Sequence, residues 1–155
     1  MAINLDMHDK KIIQYLQEDA SISNIELSKK IGLAPSSCLL RVKSLKEQKI
    51  IKQFTTVVDE KLLGYEITCF AKVFMQPFNR ESSTKFLEEV SKTPEVVECY
   101  TITGEAAFFL KIVAKSFQQY RNFVFDKLLS VPNVSNIDTS IVVATEKKTN
   151  VIPLD

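Results

Sequence analysis

The hydrophobic period changes once along this chain, close to Gly64, and that change limits the fold more than any other feature. Up to about residue 48, apolar side chains recur every three or four positions, the period of amphipathic helices. From residue 66 onward, short runs rich in β-branched and aromatic residues alternate with helical stretches, the grammar of a mixed α+β unit. The three glycines, Gly32, Gly64 and Gly104, each fall where one pattern gives way to another. The expected division is a helical domain over 1–50, a β connector over 51–64 and an α+β domain over 65–155.

In the first domain, Asp6 is suited to cap a helix over 6–18 that carries Ile12, Ile13 and Leu16 on one side. Ser23 and Glu26 have the spacing of a capping box for a short second helix ending near Lys30. Gly32 can take the positive φ of a tight turn, Leu33 can anchor that turn, and Pro35 fits the first turn of a third helix over 35–48. A helix followed by two short helices around a glycine-containing turn is the layout of a helix-turn-helix, here expected to be of the winged type.

The third helix places Cys38, Val42 and Leu45 on one stripe, with the opposite face offering Ser36, Ser37, Leu40, Arg41, Lys43 and Ser44. Charge singles out the same region. Residues 29–52 hold seven basic side chains against Glu47 alone, a local +6, although the whole chain has a net charge of only +1. Hydroxyls and a guanidinium at the start of a helix can reach phosphates and base edges, and Arg is the usual bidentate partner of guanine. The alternative reading is that Arg41 is only a surface cation or pairs with Glu47. Residues 50–58 (IIKQFTTVV) read as a strand, on which Lys52 either meets a flanking phosphate or lies on a solvated edge. Asp59 to Leu63 fit one helical turn closed by Gly64.

Beyond Tyr65 the expected elements are a strand over 66–76, a helix over 81–92, strands over 95–103 and 107–114, a helix over 116–129 and a strand over 134–146. The order βαββαβ is that of a ferredoxin-like sheet with both helices on one face. Its other face needs cover. Runs as apolar as 108–113 (FFLKIV) and 141–144 (IVVA) argue that a second subunit supplies it.

Read together, LDMHDKKIIQYLQEDA at 5–20, ELSKKIGLAPSSCLLRVKSL at 26–45, VVDEKLLG at 57–64 and TGEAAFFLK at 103–111 resemble the Lrp/AsnC family, the leucine-responsive or feast/famine regulators. The resemblance covers essentially the whole chain. It implies a cytoplasmic DNA-binding transcription regulator, a homodimer assembling into octamers or other multiples of dimers on double-stranded DNA, and control by an amino-acid effector bound between dimers. The implied effector residues are Thr103, Gly104, Glu105, Ala107, Thr139 and Ser140. Departures from the family pattern are Leu40 in place of a second arginine, Ala34 in place of a capping serine, and Lys49 in place of a helix-ending glycine. In the effector loop Ala107 stands where relatives have the aspartate that holds a ligand's ammonium group. An ammonium group withdrawn from water needs an accepting partner, and Glu105 is the nearby carboxylate that can replace it.

Other classes have less in their favour. Siroheme decarboxylases share this fold but rely on histidines in the C-terminal domain, whereas the one histidine here is His8. Cys38, Cys69 and Cys99 are odd in number and widely spaced, so neither a disulfide framework nor a zinc site is expected. No metal, cofactor, leader segment or membrane span is expected either. An architectural or metabolite-binding dimer that senses no amino acid remains the alternative to a ligand-responsive regulator.

Overall fold

The computed structural model describes residues 4–154. It divides into two compact units, one running to Val57 and joined by the segment from Lys147, the other spanning Val58–Glu146. The sequence pattern places residues 147 onward in the second domain, whereas in the structure they pack with the first unit.

In the first unit α1 (Met7–Glu18) begins at Asp6, whose side chain accepts the Asp9 N–H at 2.9 Å. The first turn of α2 (Asn24–Ile31) is closed by the expected capping box: Ser23 Oγ accepts the Glu26 N–H, and Glu26 returns a carboxylate oxygen to the Ser23 N–H. Gly32 takes φ +73°, which lets its own N–H and that of Leu33 reach back to carbonyls in the last turn. Helix α3 (Pro35–Glu47) starts on Ala34, which has no side-chain oxygen to offer, so its first N–H groups lack a side-chain cap. Ile12, Leu27, Ile31, Cys38 and Leu45 form the buried core on which the three helices meet.

The end of α3 shows what the missing glycine does. Lys49 adopts φ 59°, and the N–H groups of Ile50 and Ile51 both return to the Leu45 carbonyl. A lysine Cβ in the left-handed region costs about 1–2 kcal/mol. Lys49→Gly is therefore expected to stabilise the first unit, raising its melting temperature by roughly 4–8 °C per kcal/mol recovered, measured by calorimetry.

Residues 50–58 are not a strand. Among the described residues the sheet has four strands, and this β-branched segment pairs with none of them, so it has no ladder to join. The turn over Asp59–Gly64 does form, with Tyr65 N–H bonded to the Glu60 carbonyl and Gly64 at φ +83°.

The second unit contains β1 (Ile67–Met75), α4 (Arg80–Ser91), β2 (Val96–Thr101), β3 (Phe108–Ala114), α5 (Phe117–Phe123) and β4 (Val134–Ile141). The strands lie antiparallel in the order β2-β3-β1-β4, the ferredoxin-like arrangement. One face carries Cys69, Ala71, Val73, Phe108, Leu110 and Ile112 against the helices, where Phe86 of α4 stacks on Phe108 at 4.5 Å between ring centroids. The expected second helix is interrupted: after Phe123 the backbone widens into a π turn over Val124–Leu128. The last strand also stops five residues short of the expected 146, and Val143 is fully in solvent.

Candidate nucleic-acid interface and effector loop

The buried stripe of α3 is Cys38 and Leu45, with Val42 half-buried beside them, so the helix presents the opposite side outward. Ser36, Ser37, Leu40 and Lys43 are all exposed there, Ser44 is half-buried, and Lys52 is exposed beyond the helix. Leu40 shows two-thirds of its surface, and Leu39 beside it is also exposed. Asn24 Nδ2 donates to the Pro35 carbonyl at 2.8 Å and so fixes the start of α3 against α2.

Arg41 is differently placed. Its Nη1 donates to Asp6 Oδ2 at 2.7 Å and to Asp9 Oδ1 at 2.8 Å, bridging the first turn of α1 to the middle of α3. The alternative partner considered for it, Glu47, lies 3.8 Å from Lys43 instead. Asp6 thereby does two jobs, capping α1 with one oxygen and holding Arg41 with the other. The Asp9 N–H first, and the Arg41 guanidinium after it, hold the Asp6 carboxyl below the usual aspartate range. Sequence reasoning found the helix cap but not this bridge, because its partners are 32 and 35 residues apart.

Of the six effector residues, the structure brings four into one hairpin. Thr103, Gly104 and Glu105 are exposed in the turn between β2 and β3, where Gly104 takes φ +113°. Ala107 closes that turn: its carbonyl accepts the Ile102 N–H and its own N–H donates to Val73. With its side chain in the core, Ala107 offers a ligand nothing beyond backbone. Thr139 and Ser140 lie apart from this hairpin, on β4 at the opposite edge of the sheet. They also face opposite ways. Thr139 pairs with Ala71 on the helix-covered face and accepts the Tyr120 hydroxyl at 2.7 Å, whereas Ser140 pairs with Phe70 on the open face.

Burial raises the thiol of Cys69 to about 11, keeping it protonated and unreactive, and Cys38 is shifted in the same direction. Among the described residues no cluster of His, Cys, Asp and Glu could hold a metal ion, and no helix is long and apolar enough to cross a membrane.

A winged helix-turn-helix joined to a ferredoxin-like sheet defines a DNA-binding regulator, and both parts match family models. The winged helix-turn-helix DNA-binding model covers residues 5–52, and the Lrp/AsnC ligand binding domain covers 68–152. The chain belongs to the Lrp/AsnC family of transcription regulators. It is 56% identical over 155 residues to the transcriptional regulator AzlB of Bacillus subtilis, covering 100% of this chain and 99% of that one. Identity to the leucine-responsive regulatory protein of Klebsiella pneumoniae is 31%, over 95% of this chain and 90% of the relative. Among solved structures, a transcriptional regulator of Neisseria meningitidis in complex with L-Met superimposes with a TM-score of 0.94 at 32% identity, covering 98% of each chain.

Proposed function

We propose that this regulator acts as a homodimer joined through the open face of the sheet, reads DNA with the outward face of α3, and responds to an amino acid held at the Thr103–Glu105 turn. The exposed face of α3, set in the region of local +6 charge, carries the reading. Ser36, Ser37 and Ser44 supply hydroxyls to phosphates and base edges, Leu40 supplies apolar contact to a thymine methyl, and Lys43 and Lys52 neutralise phosphates. Arg41 acts as a positioning residue, fixing α3 on α1 through Asp6 and Asp9. In the effector turn Glu105 receives the ligand's ammonium group in place of the aspartate absent at 107.

The test is fluorescence anisotropy on duplexes from upstream of the protein's own gene, with scrambled competitor, across a salt series and with L-Met or branched-chain amino acids added. Lys43→Ala and Lys52→Ala are each expected to weaken binding on every sequence and to lower the salt slope by about 1. Glu105→Gln is expected to abolish the amino-acid response while leaving DNA affinity in its absence unchanged. Equal affinity for specific and scrambled duplexes would remove the sequence-reading role, and an effector response surviving in Glu105→Gln would remove Glu105 from the ligand site.

A further inference from the structure

The chain beyond the last strand leaves the sheet behind. β4 ends at Ile141, the Val142 N–H still reaches the Thr68 carbonyl at 2.9 Å, and from Lys147 onward the backbone belongs to the DNA-binding unit. There Gln17, near the end of α1, grips one residue at both of its backbone polar groups. Its Oε1 accepts the Ile152 N–H at 2.7 Å, and its Nε2 donates to the Ile152 carbonyl at 3.1 Å. A neighbouring strand would satisfy a backbone in the same way; here one side chain does it across 135 residues of sequence. Beside this grip, Ile152 and Leu154 line an apolar cleft of 420 Å³ with Ile13, Leu16, Ile51 and Phe54.

We infer that residues 147–154 are a strap that completes the DNA-binding unit, and that DNA affinity depends on its being in place. Ile13, Leu16 and Ile51 pack directly on the buried cluster of Ile12 and Leu45, which holds α1 against α3. Ile152 is itself two-thirds exposed, so lifting the strap adds to the exposure of that flank and removes the grip on α1, whose N-cap and first turn carry the Asp6 and Asp9 carboxylates that hold Arg41. The effect therefore passes from strap to α1, from α1 to Arg41, and from Arg41 to the recognition helix. The DNA-binding unit is joined to the sheet by two covalent segments, one on each side of the Val58–Glu146 unit.

This rests on the Gln17–Ile152 grip and stands apart from the effector reading. The experiment compares the full chain with a chain stopped after Glu146 and with the variants Gln17→Ala and Ile152→Asp. Amide hydrogen exchange is followed in α1, in residues 50–57 and in β1 and β3, and anisotropy is measured on a duplex from upstream of the protein's own gene. Exchange is expected to quicken in α1 and residues 50–57 but not in β1 and β3, and DNA affinity to fall roughly tenfold in the shortened chain. The two substitutions are expected to move both readouts the same way by less. Unchanged protection of α1 in the two full-length variants would overturn the strap, whatever becomes of the shortened chain. Tighter DNA binding on removal would overturn it as well, by making the segment a cover rather than a support.

Discussion

Phe109→Asp is expected to turn the protein into monomers and to lower its affinity for a two-half-site duplex by about 10²–10⁴, the factor that linking two binding events supplies. Phe109 lies on the sheet face that no helix covers, stacked on Phe70 with ring centroids 5.4 Å apart and planes at 8°. Tyr100 sits opposite it in the ladder and is half in solvent. Ion pairs flank the rings, Lys72 with Asp138 on one side and Lys111 with Glu98 on the other. An aromatic centre with a charged rim is the composition of an interface between subunits. Phe108 and Leu110, the neighbours of Phe109 along β3, face the other way into the core. A carboxylate at 109 therefore leaves the fold intact and penalises only a partner that would bury it. Sedimentation and far-ultraviolet circular dichroism check both halves of the expectation. A stable dimer of Phe109→Asp at micromolar concentration would place the subunit contact elsewhere.

What could be read from the sequence was whatever is decided within a few residues. The Ser23–Glu26 capping box, the positive-φ turn at Gly32 and the Asp6 cap of α1 are all decided inside one helical turn or its cap, and each appears as expected. The ferredoxin-like order was also legible, since the switch from period two to helical period marks every crossover from β1 to α4 and from β3 to α5. Contacts set by distant chain were not. The segment 50–58 has strand composition but no strand beside it within the chain, and the return of residues 147–154 to α1 depends on a glutamine 135 positions away. The widening of the helix after Phe123 left no mark that periodicity could register. One feature of the last strand was legible as well. Thr139 and Ser140 are consecutive residues of a strand, and alternation alone sends them to opposite faces.

The bridge at Arg41 yields the second large effect. Arg41→Ala and Asp9→Ala are expected to fail together, each weakening operator binding by about tenfold, with the double variant little worse than either alone. The signs separate positioning from base reading. Asp9 is an acidic residue in the DNA-binding unit, so removing it lessens repulsion from phosphate and releases Arg41; if Arg41 read bases directly, Asp9→Ala would bind as well as the parent or better. Loss of affinity on removing that negative charge is the result expected if this bridge holds α3 on α1. Acid provides an independent check. The Asp6 carboxyl is held below its ordinary value by the Asp9 N–H and then by Arg41. Its contribution to stability is thus present above about pH 4 and is lost as pH falls through the lowered value. The N-terminal unit should soften in that window, seen as faster amide exchange in α1 and α3, and Asp6→Asn should remove this step because no carboxyl remains there to protonate. A parent-like acid transition in Asp6→Asn would assign the step to another carboxylate and leave Arg41 held chiefly by Asp9.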